Sequence, residues 1–267
     1  MEDKQILRDL VYTQSGMRLD LYLPAEVAEP LPIVVWIHGG AWKEGDKGTF
    51  RRDMRKVVGQ SYVFASINYR LSHEASFPAQ IHDCKTAIRW LRAHAKEYNF
   101  DSKRMGVWGA SAGGHLAALL GTSNNVTELE GSGGSSQYSS AVQAVCDFFG
   151  PTDLLRMSEM LGELEKESNE SLFIGGPLRK NITKVTQANP LTYINKNTVP
   201  FLIVHGDSDV LVPADQSQIL YAALKKAQVE AALHIVPGAG HGFVGASTEQ
   251  LDKIDGMVVA FFNRHLK

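Results

Sequence analysis

The run Gly109-Ala110-Ser111-Ala112-Gly113-Gly114 constrains this chain more than any other segment. Met105 to Trp108 before it reads as a short strand, and Ala112 to Leu120 after it reads as a helix, with Gly121 as its cap. Passing from strand to helix in so few residues forces the central serine into a strained backbone conformation and presses the helix close to the strand. The glycines two residues to either side remove side chains that would otherwise collide there. A serine that merely caps a helix can sit in the same letters. The run therefore acquires meaning only from its surroundings.

Those surroundings alternate strand-like and helix-like segments. Strand patterns fall at Leu19 to Leu23, Ile33 to Ile37, Tyr62 to Tyr69, Ala144 to Phe149, Phe201 to His205 and Ala232 to Val236. Helical patterns begin after Pro78 and recur over Gln216 to Lys226 and Ile254 to Leu266. Alternation of this kind predicts an α/β fold with a mostly parallel central sheet and helices on both faces. Two stretches break the rhythm. Asn124 to Ser140 is rich in Ser, Gly and Asn and reads as an exposed loop. Residues 152–190 lack a strand pattern and read as a small cap inserted above the sheet. The whole of 1–267 is expected to form one domain.

The chain's 267 residues suffice for a large core without covalent staples. With 27 basic against 29 acidic residues, no basic surface suited to nucleic acid stands out. The densest basic run, Arg51, Arg52, Arg55 and Lys56, alternates with Asp53 and apolar residues and reads as a solvated helix face. Cys84 and Cys146 read as buried thiols, although the sequence leaves their pairing open. No apolar run approaches the roughly 18 residues of a membrane helix. The N-terminus lacks a signal-peptide pattern, so the expected compartment is cytoplasmic. The sequons at Asn125, Asn169 and Asn181 then carry little weight.

A serine nucleophile needs a histidine within hydrogen-bond reach and an acid to orient it. When the serine sits on a strand-to-helix turn, the acid and then the histidine follow it along the chain. Of the histidines after Ser111, His205 and His234 fall in or beside strands, His115 lies in the helix after the serine, and His265 lies in the last helix. His241 alone occupies a glycine-rich loop after the last strand, where parallel sheets place their sites. The loop before it offers two acids, Asp207 and Asp209. Negative charge developing on a substrate carbonyl would need backbone N–H donors. Ala112, next to the serine, is one, and the loop His38-Gly39-Gly40-Ala41-Trp42 is placed to supply others.

These four elements together resemble the α/β-hydrolase esterases of the hormone-sensitive-lipase-like and feruloyl-esterase-like groups, the BD-FAE type. The likeness covers nearly the whole chain: an H-G-G-x-W loop at 38–42, a G-x-S-x-G-G turn at 109–114, an H-G-x-x-D-x-x-V-P loop at 205–213 and G-H-G-F at 240–243. It implies the α/β-hydrolase fold, with Ser111, Asp209 and His241 as a catalytic triad and Gly40, Ala41 and Ala112 as oxyanion donors. It also implies no metal or organic cofactor. Ala41 and Trp42 depart from the H-G-G-G of lipase-like members, which shifts the likeness toward feruloyl esterases, acetyl esterases and kynurenine formamidases.

The reading that follows is a serine carboxylesterase acting on small acetyl, short-chain or feruloyl-type esters. An arylformamidase with the same triad is the rival within the class, and a non-catalytic small-molecule receptor is the rival outside it. The expected partner is a small-molecule ester, not nucleic acid or membrane, and association as a homodimer stays open. Trp42, Tyr69 and Phe77 are expected to line the substrate pocket. Leu172, Phe173 and Ile174 either form an apolar cap or fasten residues 152–190 to the sheet.

Overall fold

The computed structural model describes residues 5–24, 29–50, 54–162 and 167–267. Eight strands form one sheet: β1 (Gln5–Val11), β2 (Arg18–Leu23), β3 (Leu31–Ile37), β4 (Val63–Ile67), β5 (Phe100–Ala110), β6 (Ala144–Phe148), β7 (Phe201–Gly206) and β8 (Ala231–Val236). Their spatial order is β1-β2-β4-β3-β5-β6-β7-β8. β1 pairs with β2, and β2 with β4, antiparallel; every other neighbouring pair is parallel. The helices are α1 (Met54–Val58), α2 (Ala79–His94), α3 (Ala112–Thr122), α4 (Leu154–Met160), α5 (Asn169–Ile174), α6 (Ile182–Ala188), α7 (Asp215–Lys226) and α8 (Thr248–Leu266).

The alternation of side chains along the strands divides the core in two. Ile33, Val35 and Ile37 of β3 join the cluster that includes Ile81 and Ile88 of α2, Leu116 and Leu120 of α3, and Leu220 of α7. Val34 and Trp36 point the other way, toward Val58 of α1 and Val258 and Phe262 of α8. Both faces of β3 are thus covered, which is why the strand reads as an uninterrupted apolar run. Cys84 lies in the first cluster and Cys146 in the second, both as free thiols.

The structure departs from the sequence reading at several points. β1 carried no pattern: most of its residues are exposed, and a bulge with Asp9 in a left-handed conformation interrupts its pairing with β2. Gly121 is not a cap, because α3 runs on to Thr122 and Ser123 closes it by donating its N–H to Leu119 O. A Cβ at Gly121 would strike Val145 of β6, so close helix–strand packing accounts for the glycine. The 124–140 loop is not wholly exposed. Its Glu130 pairs with the buried Lys85 and Arg89 of α2 at 2.7 and 2.9 Å, and Leu129 is buried. Of the basic run, Arg51, Arg52 and Asp53 lie outside the described residues, while Lys56 is exposed on α1. Among the described residues no helix is long and apolar enough to cross a membrane.

Candidate active site

β5 ends at Ala110, and Ser111 stands between it and α3 with φ 55° and ψ −124°. That conformation is costly for a residue with a side chain, so the surroundings must enforce it. The Ser111 N–H donates to Phe148 O at 2.8 Å, holding the turn against β6. A Cβ at Gly109 would collide with Gly113 O, and one at Gly113 with Ile37 O at the end of β3. The glycines therefore let helix, turn and strand approach within backbone contact, and the serine is raised at the C-terminal edge of the sheet.

Asp209 follows β7 and His241 follows β8, on neighbouring loops at the same edge. His241 Nδ1 lies 2.7 Å from Asp209 Oδ2, and its Nε2 lies 3.0 Å from Ser111 Oγ. The other carboxylate oxygen, Oδ1, accepts the N–H groups of Leu211 and Val212, each at 2.9 Å. Burial pushes the Asp209 carboxyl upward, but hydrogen bonds from His205, His241 and the Val212 N–H outweigh it and hold the group well below the usual carboxylate range. Asp207, the other acid weighed from sequence, is exposed. It accepts the Gly238 N–H at 2.7 Å and so ties the two loops together. The arrangement can carry a proton from a serine hydroxyl to an imidazole braced by an ionised acid.

The loop after β3 faces Ser111. Gly40, Ala41 and Trp42 all have positive φ (116°, 50° and 56°), a conformation that turns the backbone sharply. The Gly40, Ala41 and Ala112 N–H groups donate to no acceptor among the described residues and are free for a substrate oxygen. Three contacts hold the loop. The His38 ring stacks on Tyr69 at 4.3 Å, Tyr69 Oη donates to His38 O at 3.0 Å, and Trp42 stacks on Phe173 of α5 at 4.5 Å. Burial lowers the His38 pKa to about 4, which keeps the ring neutral.

A cavity of about 880 Å³ opens over Ser111 and His241, within the size range of small-molecule sites. Two of the three residues expected to line it do not. Tyr69 and Phe77 are buried below the loop, Tyr69 against His38 and Phe77 against Phe173. Trp42 reaches the cavity wall but is only 1% exposed, because Phe173 covers it. Phe173 and Ile174 are wholly buried and fasten α5 to the core, whereas Leu172 is exposed, so the three form no continuous apolar cap. The wall instead includes Phe149, whose ring packs on His241 at 4.8 Å, together with Leu161, Asn169 and Glu170. Sequence reasoning singled out none of these four, although Leu161, Asn169 and Glu170 fall in the 152–190 segment read as a cap above the sheet. The one signal that could have found them is adjacency: β6 neighbours β5 in the sheet, so the chain leaving β6 must pass the serine.

A mostly parallel sheet with its serine turn at the centre and its acid and histidine on the last two strand exits defines an α/β-hydrolase. The BD-FAE family model matches residues 19–224, and the chain belongs to that family. It is 31% identical over 246 residues to esterase LipQ of Mycobacterium tuberculosis, a match covering 90% of this chain and 58% of LipQ. The chain spans about half the length of the curated relatives it matches. Among solved structures it is similar to a truncated carbohydrate esterase from gut microbiota. That likeness has a TM-score of 0.84 and 31% identity, over 98% of this chain and 99% of the other. It is also similar to the propionate-bound esterase Est2 of Thermogutta terrifontis, with a TM-score of 0.74 and 26% identity over 96% and 94% of the two chains.

Proposed function

We propose that this chain hydrolyses small carboxylic esters through an acyl intermediate on Ser111. The observation that carries this reading is the unbroken line from Ser111 Oγ to His241 Nε2 at 3.0 Å and from His241 Nδ1 to Asp209 Oδ2 at 2.7 Å. His241 takes the hydroxyl proton as Ser111 attacks the ester carbonyl, and Asp209 stabilises the imidazolium that results. The Gly40, Ala41 and Ala112 N–H groups receive the developing oxyanion. His241 returns the proton to the departing alcohol. Water, activated by the same histidine, then releases the acid and restores Ser111.

Residues 152–190 serve in this reading as the outer wall of one α/β-hydrolase domain, through Leu161, Asn169 and Glu170. The cavity volume suits a small ester, and the propionate in the Thermogutta terrifontis esterase favours short acyl groups. The test is a hydrolysis panel of short p-nitrophenyl esters, feruloyl esters, acetylated sugars and formyl-kynurenine, run beside Ser111→Ala. Ester turnover lost in the variant, with fluorophosphonate labelling of Ser111 in the parent, is the expected result. An unlabelled serine in folded protein sinks the reading. Turnover of formyl-kynurenine well above every ester reassigns the site to an amidase.

A further inference from the structure

His115 and Trp42 each carry a buried polar atom, and the two complement each other. His115 stands one turn into α3, and its backbone N–H donates to Ser111 O at 3.0 Å. Its ring is fully buried, with Nε2 2.8 Å from Ala188 O. A carbonyl only accepts, so Nε2 carries the proton, and burial keeps the ring neutral by lowering its pKa to about 4. Nδ1 is then a bare acceptor, and it has no partner among the described residues. Trp42 Nε1–H, which can only donate, is likewise buried with no partner among them. The two rings meet at right angles with their centroids 5.3 Å apart. The indoles of Trp36 and Trp108 also have unpartnered N–H groups, but both lie in the core cluster on the far face of the sheet. Buried polar groups in native proteins are almost always satisfied. A spare donor and a spare acceptor in touching rings are each other's natural partners.

The place of this pair bears on the reaction. The oxyanion donors come from two pieces of chain: Ala112 begins α3, while Gly40 and Ala41 immediately precede Trp42 in the loop after β3. Ala41 and Trp42 hold left-handed backbone, φ 50° and 56°, which residues with side chains keep only under constraint. The Trp42 carbonyl is tied by the Ser72 N–H at 2.8 Å. Its indole is held by Phe173, stacked at 4.5 Å, and by His115. Of these three contacts, that of His115 alone joins the loop to the helix that Ala112 begins. We propose that His115 is a positioning residue for the oxyanion hole. Its Nδ1 accepts from the Trp42 indole N–H, directly or through one shared water, and so sets the spacing between Gly40 and Ala41 on the loop and Ala112 on the helix. The proposal rests on the ester-hydrolase reading above.

The experiment is a double-mutant cycle on the full chain, Trp42→Phe with His115→Phe, reading kcat and KM on p-nitrophenyl acetate. Each replacement keeps an aromatic ring and removes one side of the link. Trp42→Phe alone lowers kcat about three- to ten-fold, the scale of one hydrogen bond, and leaves KM unchanged. In the His115→Phe background the same replacement costs at least about three-fold less, because packing losses persist there and the shared bond does not. Equal losses in the two backgrounds overturn the proposal. Nitrogen NMR of the folded parent gives a second reading that needs no variant. His115 shows Nε2 protonated and Nδ1 accepting, and the opposite tautomer overturns the link. A scalar coupling between Trp42 Nε1 and His115 Nδ1 marks a direct bond. The same tautomer and kinetic coupling without it mark the shared water. If the parent labels at Ser111 with a fluorophosphonate but the cycle shows no coupling, the positioning role falls alone. If the parent neither labels nor cleaves any ester, the hydrolase reading falls and takes the positioning role with it.

Discussion

His205 and Asp209 meet within a single turn of chain: His205 Nε2 lies 3.3 Å from Asp209 Oδ2 while donating to Val212 O at 2.8 Å. Its other nitrogen, Nδ1, lies 2.7 Å from Ser217 Oγ of α7. With two acceptors facing Nε2, the proton sits there, and Nδ1 accepts from the Ser217 hydroxyl. One carboxylate therefore serves two imidazoles, of which only His241 reaches Ser111. His205 fixes where that carboxylate stands.

His205→Ala should accordingly lower kcat and destabilise the fold by about 1–3 kcal/mol, the usual cost of stranding buried partners. It should also weaken resistance to acid. Asp209 is held low in the folded protein, so its contribution is complete above the unfolded carboxylate value of about 3.9 and is lost as pH falls below it. Urea melts of parent and variant from neutral pH to about pH 3 check this, because the stability gap between the two should narrow on acidification. A gap constant across that range would contradict it.

Asp209→Asn should reduce kcat by about 10⁴-fold, the scale set by losing the orienting acid of a triad. Asp207→Asn should cost far less, since Asp207 braces Gly238 and touches neither Ser111 nor His241. Comparable losses in the two variants would mean that the acid has been misassigned.

Asp147 gives a second pH signature with the opposite sign. Burial raises its pKa to about 6, against the pull of the Gly150 N–H and of His205. Its Oδ2 has no hydrogen-bond partner among the described residues. Below about 3.9 both folded and unfolded chains hold the proton. From there to about 6 the folded protein keeps a proton that the unfolded chain releases, so stability falls as pH rises. Asp147→Asn should remove that loss, worth on the order of 3 kcal/mol. Denaturant melts at pH 4 and pH 7.5 should show the variant gaining on the parent at the higher pH.

Phe173→Ala should cost about 3–5 kcal/mol, the range for emptying a buried aromatic site. It should also depress kcat, because Phe173 stacks on Trp42 in the loop that offers Gly40 and Ala41. Reduced Trp42 order, read by fluorescence quenching, is the accompanying sign. A stability loss with kcat intact would separate the loop from the packing beneath it.

Local geometry that leaves a residue-level mark was legible in the sequence. The turn around Ser111 demands glycine where backbone meets backbone, and the loops of Asp209 and His241 follow recognisable strand exits. β3 declared itself because both its faces are buried. What depends on distant segments was not legible. Tyr69 and Phe77 are aromatic and lie near loops, yet Tyr69 is buried against His38 and Phe77 against Phe173, both distant in the chain. Glu170 follows a run of Glu163, Glu165 and Glu167 and looks like one more solvated acid until the fold places it against the cavity. β1 left no trace because an exposed edge strand imposes no alternation on its residues.

All eleven residues of α3 are buried, whereas the wall that completes the cavity comes from short helices that touch the core through a few side chains. The two parts therefore tolerate change very differently. A substitution beneath the serine disturbs several packed elements at once. A substitution at an exposed position of that wall, such as Leu172, disturbs none of them. Changes of preference that leave the nucleophile in place are therefore open to cavity-facing wall positions such as Leu161 and Asn169, and closed to α3.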